Sequence, residues 1–301
     1  MKAINLNQVK KSFKKGFIQK TFPVLTGVDL TVEAGSIFGF LGPNGAGKST
    51  TIKLLLGLIH SDSGSVEILE KNPQLAISRK NVGYMPEHPY FYEHLSPIEL
   101  LKFYGGLFKI PKTILMSRIH SLLEKVDLLE SKNKPIRTFS KGMLQKVGLI
   151  QAMINDPDLL ILDEPLSGLD PVGRKEFREL IHSFSKNGKT VFFSSHIIHD
   201  VETICNEVAF IKNGKIKSQG KLSDLLIDKN RVSEILFNIN NALPTELRQA
   251  EKRGEYYLIH STDVKHQNEL IRTIQKNEGV IIAVNQTKQG LEELFLRDYE
   301  K

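Results

Sequence analysis

The chain has 301 residues, 40% apolar and 25% charged, the composition of an ordinary soluble globular protein long enough for two cores. No run approaches the roughly 18 apolar residues of a membrane-spanning helix, and the basic residues 1–15 lack the apolar segment of a secretory signal. The lone cysteine, Cys205, excludes an internal disulfide and a cysteine-built zinc site, and its isolation suits a reducing cytoplasm.

Residues 3–40 alternate short β patterns with Gly and Pro breaks, which predicts an antiparallel sheet at a domain edge. The apolar segment 37–41 reads as a strand and 51–59 as a helix. Between them runs Gly42, Pro43, Asn44, Gly45, Ala46, Gly47, Lys48, Ser49, Thr50. Strand, Gly-rich loop and helix in that order form the context of a phosphate-binding P-loop. Its glycines let successive backbone N–H groups point at phosphate oxygens, and the helix N-terminus adds its positive dipole end. Lys48 is placed to reach the β- and γ-phosphates, and Ser49 to ligate Mg²⁺.

A turn over Ser61, Asp62, Ser63 and Gly64 leads into a predicted strand, 65–69. Ser96, Pro97, Ile98 and Glu99 form a capping box with Pro at the first helical position. Helical patterns then dominate to about residue 154, with breaks near Pro111 and Pro135.

Leu159, Leu160, Ile161 and Leu162 suit a parallel strand covered on both faces, and Asp163 and Glu164 end it. Adjacent strand residues point to opposite faces, so the two carboxylates differ in role unless the strand ends between them. Asp163 fits a group that holds Mg²⁺, and Glu164 one that orients or deprotonates an attacking water.

Alternating helix and strand resume after Asp170: a helix near 173–187, a strand 190–193 and a strand 207–211. Asn213 and Gly214 signal a hairpin turn with a return strand over 215–218. This alternation predicts an α/β fold with a covered sheet. From about residue 230 the pattern becomes that of a separate small α+β module. Strands are expected over 234–239, 255–260 and 280–284, a helix over 263–275, and a last amphipathic helix on Leu291, Leu294 and Phe295.

The P-loop and the two carboxylates together give the chain the look of an ABC-type ATPase, the nucleotide-binding subunit of an ATP-binding-cassette transporter. The resemblance covers about residues 1–220, and the remaining motifs follow in the family's order. Ser140, Lys141, Gly142 and Met143 stand at the family signature, commonly LSGGQ. Ser167, Gly168, Leu169 and Asp170 resemble the D-loop, His196 the H-loop histidine, and Phe13 the aromatic that stacks on adenine. Two departures stand out. Glu87 occupies the position of the Q-loop glutamine, where a carboxylate can still ligate Mg²⁺ or hold its water. The signature reads FSKGM, which keeps Ser140 and Gly142.

The resemblance implies a P-loop NTPase of the ABC-ATPase fold. Its expected parts are a RecA-like core, an antiparallel β subdomain and a helical subdomain over about 88–155, all within residues 1–225. A C-terminal α+β accessory domain over 230–301 completes the chain. It implies ATP and Mg²⁺ as cofactors, with Glu164 and His196 catalytic. A second ATPase subunit, a homodimer favoured, is expected to face the P-loop with its own Ser140. Integral membrane permease subunits are the other expected partner, and the expected location is peripheral, on the cytoplasmic face of the membrane. No nucleic acid partner is expected. The net charge of +7, with Lys10, Lys11, Lys14, Lys15 and Lys20 near the start, is read as a solvated surface rather than a nucleic-acid or lipid patch.

The rival from another class is a soluble ABC ATPase acting on ribosomes or nucleic acid. Such relatives carry two cassettes or a coiled-coil insertion, and neither pattern is present here. A third reading is a regulatory subunit with slow turnover. Tyr90, Phe91 and Tyr92 read equally as core or as anchors for a membrane partner.

Overall fold

The computed structural model describes residues 1–15, 20–225, 233–239, 242–286 and 291. The chain divides into two compact units, Met1–Leu222 and Ser223–Lys301.

The first unit opens with β1 (Lys2–Lys15), β2 (Lys20–Glu33), β3 (Ile37–Leu41), α1 (Lys48–Leu55) and β4 (Ser63–Ile68). There follow β5 (Val82–Met85), α2 (Pro97–Leu107), α3 (Lys112–Lys125) and α4 (Lys141–Ala152). The unit closes with β6 (Leu159–Asp163), α5 (Pro171–Ser185), β7 (Thr190–Ser195), α6 (Ile198–Ile204), β8 (Glu207–Lys212) and β9 (Lys215–Lys221). The short α7 (Leu222–Leu225) spans the division.

Strands β2, β1 and β4 form the expected antiparallel sheet. The main sheet runs β5-β6-β7-β3-β8-β9 and is parallel except for the β8–β9 hairpin. That hairpin turns at Asn213 and Gly214, both at positive φ, as the turn signal requires. Strands β3, β6 and β7 are buried along their whole length, which is why 37–41, 159–162 and, within β7, 191–193 read as unbroken runs rather than alternating ones. Phe192 of β7 stacks near Phe38 and Phe40 of β3, with ring centroids 5.9 and 5.3 Å away. Parallel register then aligns the strand ends: Leu41 lies beside Ser195, and Asp163 beside Ser194. The segments leaving β3, β6 and β7 therefore emerge together at one sheet edge, where ligands bind in open α/β sheets.

Helices α2, α3 and α4 enclose a second core of Leu100, Ile119, Leu123, Ile136, Val147 and Ile150. The capping box at α2 is formed, with Glu99 Oε2 accepting from Ser96 N at 2.8 Å and from Ser96 Oγ at 2.7 Å. The aromatic run after Glu87 divides. Phe91 is buried in the helical core, whereas Tyr90 is exposed and Tyr92 meets the edge of Phe103 at 5.8 Å. Helix α1 stops at Leu55, short of the expected 59, because the chain turns left-handed at Gly57, where a side chain would meet Pro73 O at 2.3 Å.

In the second unit, β10 (Ser233–Asn238), β11 (Glu251–Arg253), β12 (Tyr256–Ser261) and β13 (Val280–Gln286) form an antiparallel sheet ordered β11-β12-β10-β13. Helix α8 (Val264–Lys276) packs on it, capped by Asp263, which accepts from His266 N at 2.8 Å. Ile235, Phe237, Ile259, Leu270 and Ile274 form its core. Of the last expected helix, only Leu291 falls among the described residues; Leu294 and Phe295 lie outside them.

Candidate active site

The loop after β3 turns tightly back on itself. Gly47 sits at φ +114° and caps α1, and a Cβ there would meet Leu25 Cδ2 at 2.6 Å, so both the conformation and the space demand glycine. The same holds for space at Gly42, where a Cβ would lie 2.4 Å from Ile211 O. Buried Ala46 donates from its N to Pro43 O at 3.2 Å, closing the turn. Pro43, Asn44, Gly45, Gly47, Lys48, Ser49 and Thr50 line a cleft of about 330 Å³, which Val24, Glu87, Glu164 and His196 complete.

Lys48 is buried, with its Nζ donating to Gly42 O at 2.7 Å and lying 3.2 Å from Glu164 Oε1. The other oxygen of Glu164, Oε2, is 2.8 Å from His196 Nδ1. A carboxylate oxygen accepts here, so Nδ1 carries the hydrogen and Nε2 is left for another partner. The run Lys48–Glu164–His196 thus joins the segments leaving β3, β6 and β7.

Strand β6 ends at Asp163, and Glu164 follows at φ +47°. The left-handed residue breaks strand alternation, so both carboxylates can serve one site instead of opposite faces. Such a conformation in a non-glycine residue costs of order 1–3 kcal/mol and needs outside support. Ser194 supplies it: its Oγ accepts from Glu164 N at 3.0 Å and donates to Asp163 Oδ1 at 2.7 Å. Sequence reasoning overlooked Ser194. No local pattern marks it, because its role comes from the pairing of β7 beside β6.

Asp163 has its carboxyl raised above the ordinary range, chiefly by burial and further by the charges of Glu164 and Glu87. Hydrogen bonds from Ser194 and Ser49 oppose this. Burial, together with the Asp163 charge, pushes the nearby Tyr84 phenol up to about 12. Glu87 and Glu164 line the cleft and Asp163 is buried beside them, so the three carboxylates outnumber Lys48 and leave a negative excess that a cation can neutralise. The oxygens of Ser49, Asp163 and Glu87 are hard donors of the kind Mg²⁺ takes. Among the described residues no three His, Cys, Asp or Glu side chains converge as a metal cage. Mg²⁺ is characteristically held by one or two protein oxygens together with substrate phosphates, and this donor set fits that habit.

The remaining expected residues lie outside the cleft lining. Ser140 is exposed at the N-cap of α4, where its Oγ accepts from Met143 N at 3.3 Å, and Gly142 follows on the same first turn. Asp170 caps α5 by accepting from Gly173 N at 2.8 Å. Lys141 packs over Gly168, where a Cβ would meet its Nζ at 1.9 Å, so the signature and the loop before α5 touch within one chain. Phe13 lies on β1, partly exposed, with Lys11 Nζ 5.5 Å from its ring centre; Val24 of the partner strand reaches the cleft instead.

Residues 25–167 match the family model described as ABC transporter. An uncharacterised ABC transporter ATP-binding protein of Nostoc sp. is 38% identical over 98% of this chain and 89% of its own. The bacitracin transport ATP-binding protein BcrA of Bacillus licheniformis is 34% identical over 90% of each chain. A solved ATP-binding subunit of an ABC transporter superposes with a TM-score of 0.66 at 30% identity, covering 74% of this chain and 91% of that one.

Proposed function

The chain belongs to the family of ABC transporter ATP-binding proteins, which makes it an ATP-binding and ATP-hydrolysing transporter subunit of the P-loop ABC fold, and on that premise we propose how its residues divide the work. The residues from Gly42 to Thr50 cradle the phosphates, Lys48 neutralises the β- and γ-phosphates, and Ser49, Asp163 and Glu87 hold Mg²⁺ or its waters. Glu164 takes the proton of the attacking water while His196 orients it and meets the γ-phosphate. Mg²⁺ supplies charge neutralisation on the phosphates. The observation that carries this reading is the run Lys48–Glu164–His196 at the ends of three adjacent parallel strands. Phe13 is proposed to face the adenine.

Ser140, Gly142 and Asp170 are proposed to act across a dimer, each Ser140 meeting the ATP held by the other chain's Lys48. Their position outside the cleft lining of their own chain supports that reading. Among the described residues no helix is long and apolar enough to cross a membrane. Separate integral membrane permeases, met at the cytoplasmic face, are therefore the proposed partners, and exposed Tyr90 and Tyr92 the proposed anchors. Export is the proposed direction. Likeness to transport ATPases over nine-tenths of the chain favours this over a ribosome- or nucleic-acid-directed ATPase.

Lys48→Ala tests the nucleotide site. It removes the buried cation that faces Glu164, and ATP affinity is expected to fall by about 10²-fold or more, the worth of two lost charge-assisted hydrogen bonds. Equilibrium binding of a fluorescent ATP analogue measures it, and unaltered binding refutes the assignment.

The C-terminal unit is proposed as an accessory domain that supports dimerisation or regulates it. Removal of residues 223–301 is expected to weaken the ATP-dependent dimer in light scattering. A truncated protein with unaltered dimerisation and ATPase rate would make it a passive appendage.

A further inference from the structure

Helix α4 grips the segment between β5 and α2 in two ways. At Gly148 a side chain would meet Pro89 Cγ at 2.9 Å and Met85 Cε at 3.4 Å, so the helix backbone itself lies against the segment. One turn earlier, Gln145 is 2% exposed and donates from its Nε2 to the carbonyl oxygen of Glu87 at 3.3 Å. That carbonyl can only accept, which fixes the amide: the NH₂ group faces Glu87 and Oε1 faces the protein interior. Gln145 Oε1 has no hydrogen-bond partner, and among the described residues it is the one buried side-chain atom in that condition. A buried acceptor without a donor costs stability, and an apolar side chain of the same shape avoids that cost. What an amide at 145 provides that an apolar side chain would not is the bond to Glu87.

We infer that Gln145 is a positioning residue for ATP hydrolysis. It does not line the cleft. Its amide fixes the backbone of Glu87, and with it the direction of a carboxylate whose side chain is half exposed and lies 3.8 Å from His88 Nε2. The helix that carries Gln145 also carries Ser140 at its N-cap, so one rigid element sets both the Glu87 segment and the signature serine. The inference rests on the reading that Glu87 serves the Mg²⁺–nucleotide site.

The test uses the full chain with Gln145→Met, which keeps length and volume and removes both the donor and the unpaired acceptor. A crystal structure of the variant is expected to show the Glu87 backbone drawn away from α4, since the Gln145 bond that ended on its carbonyl oxygen is gone, with residues 42–50 unaltered. Turnover is expected to fall about tenfold, the worth of one hydrogen bond, while KM for ATP holds, because Lys48 and its loop are untouched. The melting temperature is expected to stay within about 2 °C of the parent, since a lost bond and a removed unpaired acceptor offset each other. Gln145→Glu, which keeps the length without the N–H donor, is expected to fail in the same way. An unmoved Glu87 backbone overturns the positioning role. A displaced Glu87 with unaltered turnover instead removes Glu87 from the reaction, and the catalytic consequence with it. A fall in melting temperature with no change in turnover makes Gln145 a structural residue only.

Discussion

Glu164→Gln is expected to bind ATP, to accumulate as a dimer and to turn over about 10²–10⁴-fold more slowly than the parent chain. The amide is nearly the same size as the carboxylate and can keep its place between Lys48 and His196, its one oxygen accepting from Lys48 and its NH₂ facing His196 Nδ1 once the imidazole hydrogen moves to Nε2. What is lost is the charge and the ability to take a proton. A water attacking the γ-phosphate must shed a proton as the new bond forms, and an amide oxygen is too weak a base to accept it. Binding is expected to persist or tighten, since one negative charge leaves a cleft that must receive the phosphates. Nucleotide then stays uncleaved, and the dimer it cements does not come apart. Single-turnover hydrolysis with light scattering measures both consequences. A variant that turns over at the parent rate removes Glu164 from proton transfer. One that stays monomeric with ATP bound removes the composite-site scheme while leaving the P-loop assignment intact.

The parts of this site that the sequence displayed are those written in local pattern. The P-loop from Gly42 to Thr50 needs particular residues at consecutive positions, and the run from Leu159 to Leu162 needs apolar ones, because β6 is covered on both faces. Other features depend on which strands lie side by side. Ser194 acquires its role only because β7 pairs in register with β6, and no spacing along the chain announces that. The left-handed turn at Glu164 was invisible for a similar reason: the bond from Ser194 that supports it comes from a neighbouring strand. Strand β11, Glu251–Arg253, was missed because it is wholly exposed and charged, so it has no apolar face to alternate. The aromatic run 90–92 was legible as important and ambiguous as to direction, and packing divided it between core and surface.

Arg174→Met is expected to destabilise the first unit by about 3–5 kcal/mol at neutral pH, lowering its melting temperature by roughly 6–20 °C. Asp200 on α6 is 1% exposed, and Arg174 Nη1 lies 3.1 Å from each of its oxygens. The same guanidinium donates from Nε to Leu169 O at 3.2 Å, tying α5, α6 and the loop carrying Asp170 together. Methionine fills much of the same volume, so the main loss is electrostatic: a buried carboxylate without its cation. Burial raises the Asp200 carboxyl above its ordinary range, and Arg174, with smaller contributions from Arg178 and His199, pulls it back. Without Arg174 the carboxyl rises further. A carboxyl raised in the folded state destabilises the fold once pH exceeds its unfolded value, and that penalty fades as pH falls back toward the unfolded value. The gap in melting temperature between Arg174→Met and the parent should therefore narrow on acidification from neutral pH. Adding Asp200→Asn should recover part of the loss at pH 7, because an amide is cheaper to bury than an uncompensated charge. A single variant that melts within about 2 °C of the parent at pH 7 would mean that Arg178 alone suffices to hold Asp200.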